Sequence, residues 1–447
     1  MRDLLHIGAA CVVLLVSGCG ARSALEVGAD TGADDAGVDA GSPCGPPGPE
    51  RCNGADDDCD GAVDEGLGFG AVRPRTVVRS DQGSTGDCTS CRWAAGTQLW
   101  VHGDGLLAVW RMGFDGVRPQ PNAWARRLAD DLSPRGEPFV LFDTNVPNGF
   151  RLAPIDDAVA ALAFCGRFGA DEMGSAFIAP DGEVRVAPAR RPPEGFGCGA
   201  LHPDVAWSGE RALFAWTNNR GLIDTRAVLL DVTDRGGRSV DARAVSEAGG
   251  DLSVPPRFAV GHGAVAMVTG HQPELRVTQL RFVLLDPRGR ERTRLDLDAP
   301  PETRWGITDV VATRDGWLVV GTDRTSFDEP VGRALVRLDP AGAVVEGPRS
   351  VEPGWEWSRV ELEPRPNGEL LLAGGLESPD GVNGLAVMRL DAAGRRIDVW
   401  RPDPVEGLGL SGFDLVVAGS RVFFIYPGPA EDSEPNEVVL WELGCVP

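Results

Sequence analysis

The chain has 447 residues, with 43 basic side chains, all of them Arg, against 66 acidic ones, and a formal net charge of −23. That balance excludes a nucleic-acid partner, because phosphates need a basic footprint, and an apolar fraction of 42% excludes wholesale disorder. It suits an extracytoplasmic surface, or a protein that holds divalent cations.

The N-terminus reads MRDLLHIGAACVVLLVSGCG. Ile7 to Val16 is an apolar or small-residue run, shorter than the roughly 18–20 residues of a membrane span and matched to a signal-peptide core. Val16-Ser17-Gly18-Cys19 resembles a bacterial lipobox. The resemblance implies removal of residues 1–18, lipidation of Cys19 and, with Gly20 next, sorting to the outer membrane. The expected mature protein sits in the cell envelope, joined to the membrane by its N-terminal lipid.

Residues 19–43 then form a tether of Ala, Gly and Asp, unable to bury enough apolar surface to offset the cost of ordering. Residues 20–68 carry twelve acidic and two basic side chains, so close to half of the excess negative charge lies in about a tenth of the chain. Its focus is a Cys/Asp-rich clasp over residues 44–68. Asp56, Asp58 and Asp60, then Gly61, the carbonyl of Ala62, and Asp64 follow the first nine positions of a calcium loop, with Glu65 beside them. Position 12 is Leu67 and no helical pattern flanks the run, so the clasp is not an EF-hand. Carboxylates packed this closely repel one another without a cation, and an all-oxygen donor set points to a hard ion, Ca²⁺.

Glu50, Cys52, Asn53, Gly54, Asp56, Asp57, Asp58, Cys59, Asp60, Gly61, Val63, Asp64, Glu65 and Gly66 together spell E-x-CNGxDDDCDGxVDEG. This run resembles the metal-binding motif of bacterial surface proteins named after a copper-repressible outer-membrane protein. The resemblance implies metal binding outside the cytoplasm, with no enzymatic activity attached to it.

From residue 69 onward the sequence repeats. Apolar runs begin at Leu106, Ala160, Ala212, Ala264, Trp317, Leu370 and Val422, spaced by 54, 52, 52, 53, 53 and 52 residues. Each is followed by a polar loop, a second apolar strand and a tight turn, such as Asp-Pro-Arg-Gly at 286–289. Further strands are expected before each run, as at Pro203–Trp207 and Thr308–Ala312, and after each turn, as at Glu291–Leu297. Four strands in each of seven repeats predict an all-β fold, a seven-bladed β-propeller over residues 69–447. The seventh repeat stops after its third strand, Val438–Leu443. Ala71–Arg79 is therefore expected to supply the missing outer strand and close the ring.

Eight cysteines remain in the mature chain besides Cys19, and an oxidising compartment favours disulfides. In a propeller Cys165 and Cys198 fall on one face, as do Cys88 and Cys91, whereas Cys445 falls on the face where the clasp enters. The expected pairs are Cys165–Cys198 and Cys88–Cys91, with Cys44, Cys52, Cys59 and Cys445 forming two bonds among themselves.

Longer loops gather on one face and form the expected binding surface for a protein or glycan. Acids within them, Asp171, Glu172, Asp328 and Glu329, are the residues a glycoside hydrolase or polysaccharide lyase could use in pairs. His102, His202, His262 and His271 have no metal-ligand spacing, and neither a phosphate loop nor a G-x-S-x-G elbow is present. Trp110, Trp216, Trp317 and Trp441 read as core. The expectation is a non-enzymatic binding or scaffold protein, with a propeller-fold glycan hydrolase or lyase as the alternative.

Overall fold

The computed structural model describes residues 68–79, 94–103, 105–112, 123–142, 150–167, 171–190, 203–218, 227–247, 254–274, 277–299, 304–324, 330–350, 356–365, 367–377, 383–400, 413–418, 421–427 and 437–446. Among them are twenty-eight strands and no helix, and so no helix long and apolar enough to cross a membrane. The tether and the clasp lie outside the described residues.

The first strand, β1 (Gly68–Arg79), precedes the repeats. Blade 1 is β2 (Ala94–His102), β3 (Gly105–Met112), β4 (Ala123–Ala129) and β5 (Pro134–Phe142). Blade 2 is β6 (Phe150–Asp156), β7 (Val159–Arg167), β8 (Asp171–Ile178) and β9 (Val184–Arg190). Blade 3 is β10 (Asp204–Trp207), β11 (Ala212–Asn218), β12 (Ala227–Thr233) and β13 (Ser239–Glu247). Blade 4 is β14 (Arg257–Gly261), β15 (Ala264–Glu274), β16 (Val277–Leu285) and β17 (Glu291–Leu297). Blade 5 is β18 (Arg304–Thr313), β19 (Gly316–Arg324), β20 (Pro330–Leu338) and β21 (Val344–Ser350). Blade 6 is β22 (Glu356–Pro364), β23 (Leu370–Glu377), β24 (Asn383–Leu390) and β25 (Arg396–Trp400). Blade 7 has β26 (Asp414–Ala418), β27 (Arg421–Pro427) and β28 (Glu437–Val446).

Each blade is one antiparallel four-stranded sheet, and the seventh is completed by β1 in the order β1-β28-β27-β26. The molecule is a seven-bladed β-propeller closed by its N-terminal strand. The closing pair runs from Gly68 opposite Val446 to Arg79 opposite Glu437, three residues longer at its start than the apolar pattern indicates.

The seven apolar runs all fall on second strands, and the reason is packing on two sides. A blade's face meets the preceding blade and its back meets the following one, so successive side chains along a strand enter different cores. Leu107 and Val109 join a cluster with Leu162 and Phe164 of blade 2. Leu106, Ala108 and Trp110, one residue out of phase, join a cluster with Phe423 and Ile425 of blade 7. Trp110, Trp216 and Trp317 are buried to 1% exposure or less, whereas Trp441 is half-buried.

The tight turns follow from their residues. In Asp286-Pro287-Arg288-Gly289 the Gly289 N–H donates to the Asp286 carbonyl at 2.8 Å. The Asp286 carboxylate accepts the N–H groups of Arg288 and Arg290. Gly289 takes φ +80°, a left-handed value that glycine adopts without steric cost.

Several connections expected as loops are shorter than their polar sequence indicates. β15 runs to Glu274 and β16 resumes at Val277, so most of the polar segment Thr269–Gln279 is ladder. Asp171 and Glu172 likewise belong to β8. Main-chain pairing continues past the apolar run because each added residue satisfies its own N–H and C=O whatever its side chain.

Candidate functional site

Cys19, the clasp ligands Asp56, Asp58, Asp60, Ala62, Asp64 and Glu65, and Cys44, Cys52, Cys59, Cys88, Cys91 and Cys198 all lie outside the described residues. Cys165 stands in β7 opposite Met173, at the end that leads to the second-to-third connection. Cys445 stands in β28 opposite Phe69, at the entry of β1. Among the described residues no group of three or more His, Cys, Asp or Glu side chains converges to hold a metal.

The organised polar chemistry lies at the ring axis. The innermost strand of every blade has one edge without a neighbour, and its N–H groups need acceptors. A single polar residue per blade occupies the same phase of the repeat: Gln98, Arg151, Asp204, Arg257, Asp309, Glu361 and Asp414. All are buried, at 5% exposure or less. Five reach across a seam to a main-chain N–H of the following blade. Gln98 Oε1 accepts from Leu152 at 3.2 Å, Asp204 Oδ2 from Phe258 at 2.8 Å and Asp309 Oδ2 from Leu362 at 2.7 Å. Glu361 Oε2 accepts from Leu415 at 3.0 Å and Asp414 Oδ2 from Leu99 at 2.8 Å.

The remaining two positions are arginines, which have nothing to accept with. Arg257 Nη1 donates to the carbonyl of Pro256 at 3.0 Å. The N–H of Val310, which follows it in the next blade, is taken instead by Asp309 Oδ1 at 2.9 Å. Arg151 Nη1 lies 2.7 Å from Glu361 Oε1 and 3.7 Å from Asp414 Oδ1, so blade 2 is ion-paired across the axis with blades 6 and 7. Nearer the tight-turn face, a cavity of about 20 Å³ is lined by Phe258, Val310, Leu362 and Glu363 among others. That volume suits a water molecule and not a sugar.

A second polar cluster lies in blade 4, where its strands end at the longer-loop face. Arg281 donates to both oxygens of Asp296, at 2.8 and 3.0 Å, and His271 Nε2 is 3.9 Å from Asp296 Oδ2. The Arg281 hydrogen bond, with the charges of Arg281, His271 and Arg294, holds the Asp296 carboxyl below the usual carboxylate range against its partial burial.

The other histidines are structural. His262, at φ +50°, donates through Nε2 toward the carbonyls of Thr313 and Gly316 in blade 5, at 2.9 and 3.0 Å. His102 packs edge-on against Trp100, and His202 lies outside the described residues, as do Asp328 and Glu329. The axial belt is absent from the sequence-based expectations. Its signal is a polar residue at the same phase of each innermost strand, recurring at intervals of 53, 53, 53, 52, 52 and 53 residues.

No family model matches the chain, and no curated protein matches it. Solved structures do. A protein of unknown function from Dyadobacter fermentans has a TM-score of 0.51 at 13% identity, covering 85% of this chain and all of that one. An alpha-L-arabinanase of Penicillium chrysogenum complexed with arabinobiose has a TM-score of 0.47 at 12% identity, covering 66% and 92%. The acylaminoacyl peptidase of Pyrococcus horikoshii has a TM-score of 0.47 at 11% identity, covering 81% of this chain and 53% of that one. The first likeness is one of fold. The other two, at those scores, carry no argument about chemistry.

Proposed function

We propose that this chain is a lipid-anchored protein of the cell envelope, non-enzymatic, whose propeller binds a protein or glycan on its longer-loop face. The observation that carries this reading is the buried axial belt. The buried carboxylates Asp204, Asp309, Glu361 and Asp414 are each spent on a main-chain N–H, and two of them on Arg151 as well. A glycoside hydrolase needs two carboxyl groups facing an open cleft, and the belt offers none. Recognition is assigned to the second-to-third and inter-blade connections, since loops on a rigid scaffold carry binding; residues 113–122, 219–226 and 428–436 join second to third strands in sequence and lie outside the described residues.

The clasp adds a cation site to this reading. Its donor set, the carboxylates of Asp56, Asp58, Asp60, Asp64 and Glu65 with the carbonyl of Ala62, is all oxygen and suits Ca²⁺. The anchor is Cys19.

Three measurements on the full chain test the parts separately. Radiolabelled palmitate enters the protein and is lost in Cys19→Ser; equal labelling of both sinks the anchor. Calorimetry with Ca²⁺ gives a saturating isotherm, lost in the double variant Asp58→Ala/Asp60→Ala; no heat at millimolar Ca²⁺ sinks the clasp. A glycan array and a cross-linking pull-down with envelope extract give a partner whose binding is lost on replacing residues 113–122 with a Gly/Ser linker. Binding that survives this and equivalent replacements of 219–226 and 428–436 sinks the loop-face assignment, and turnover of a captured glycan sinks the non-enzymatic one.

A further inference from the structure

The axial belt contains an asymmetry. Glu361 and Asp414 each use one oxygen to clamp a seam, Oε2 on the N–H of Leu415 between blades 6 and 7, and Oδ2 on the N–H of Leu99 between blades 7 and 1. Their other oxygens, Oε1 and Oδ1, face the same Arg151 Nη1. Arg151 belongs to β6 of blade 2, on the far side of the axis. Its side chain is 1% exposed, and those of its two partners 5% and 6%.

We propose that Arg151 is a closure latch: from blade 2 it holds, through the axis, the two carboxylates that clamp the seams on either side of blade 7. Blade 7 is where the ring is made from opposite ends of the chain, since β1 completes the sheet of β26, β27 and β28. The chain crosses the seam between blades 7 and 1 from β1 to β2, and β1 itself is joined to the rest of blade 7 by its pairing with β28. That seam depends on β1, on the Asp414–Leu99 hydrogen bond, on the Thr97 hydroxyl donating to the Ile425 carbonyl at 3.1 Å, and on the contact of Arg421 with Asp130.

Two carboxylates buried beside one guanidinium are stable only as a set. Without the arginine they are charged, desolvated and mutually repulsive, and turning toward water withdraws both acceptors from Leu99 and Leu415. The predicted consequence is non-local. Loss of Arg151 opens the seams of blade 7, whereas the seams served by Asp204 and Asp309 stay shut.

Amide hydrogen exchange on the full chain, resolved to single residues by fragmentation, tests this. In Arg151→Met, exchange at Leu99 and Leu415 rises about a hundred-fold, while Phe258 and Leu362 keep their protection; Arg257→Met leaves Leu99 and Leu415 unchanged. A rise spread evenly over all five amides, or confined to Leu152, overturns the proposal. Should Arg151→Met fail to fold, the triple variant Arg151→Met/Glu361→Gln/Asp414→Asn decides. Its amide oxygens still accept the two N–H groups, as Gln98 does for Leu152, and it carries no stranded charge. Folding with protection restored at Leu99 and Leu415 supports the latch. A triple variant no better protected than Arg151→Met, or itself unfolded, overturns it.

Discussion

The carboxylate of Asp414 in the last blade accepts the main-chain N–H of Leu99 in the first at 2.8 Å, joining residues 315 positions apart. It is the last link of a belt in which each blade supplies an acceptor, or an arginine, to the axis. The belt solves a problem the fold creates, since seven innermost strands expose seven unpaired edges to a narrow core.

Asp414→Ala removes an acceptor from Leu99 and a counter-charge from Arg151 together. It lowers unfolding stability by about 3 kcal/mol, read as a shift of the urea midpoint. Asp414→Asn keeps the acceptor and costs less. Equal losses in the two variants would show that the hydrogen bond to Leu99 contributes nothing.

The turn glycines divide by their surroundings. Gly209 has φ +91° and open space where a Cβ would sit, so Gly209→Ala costs only the left-handed backbone penalty, about 1 kcal/mol. At Gly289 the same Cβ would meet Val232 Cγ2 of the preceding blade at 2.6 Å. Val232 is fully buried and β-branched, with little room to turn. Gly289→Ala therefore costs about 3 kcal/mol. Thermal melts of the two variants side by side check the ordering.

Glu369 bridges Arg365 and Arg389, each at 2.6 Å. Burial alone would raise its carboxyl, but the hydrogen bonds and charges of the two arginines outweigh it and hold the group below its ordinary value. A depressed folded-state value means that the stabilisation is complete above the unfolded carboxylate range, about 4.3. It is lost as pH falls through the lower folded value. Urea midpoints measured downward from neutral pH fall across that window in the native chain. In Glu369→Gln the stability is lower at neutral pH, because two buried guanidinium groups lose this carboxylate, and the two chains converge at acid pH because the part of the decline due to this carboxyl is gone.

Peptide mapping without reduction is expected to recover Cys165 linked to Cys198, Cys88 linked to Cys91, and Cys445 linked to a clasp cysteine. The closing register favours the last pairing, because Phe69 stands opposite Cys445 and Cys59 lies ten residues upstream of it. Free thiol at Cys445 in protein isolated under oxidising conditions would rule it out.

The blades were legible because a strand packed on both faces must be apolar at every position, and runs such as Leu106–Trp110 stand out at a fixed period. The closing strand was legible by counting. The lengths of the connections were not, since residues such as Asp171 and His271 enter ladders that main-chain pairing sustains without help from side chains. The belt was the least visible part. Gln98 and Arg151 occupy equivalent positions but share no chemistry, and a polar residue in an apolar strand gains its meaning only from the neighbouring edge it meets.

Composition, the 52–54-residue period and the unmatched segment 71–79 by themselves determined an acidic, seven-bladed, N-terminally closed propeller, because local patterning reports which strands are covered on both sides. Only the tertiary structure decided that Arg151 faces Glu361 and Asp414 across the axis and that four buried acids are spent on holding seams. Those contacts join residues more than fifty positions apart, and whether a buried carboxylate is reactive or satisfied depends on the partner that closure of the ring brings to it.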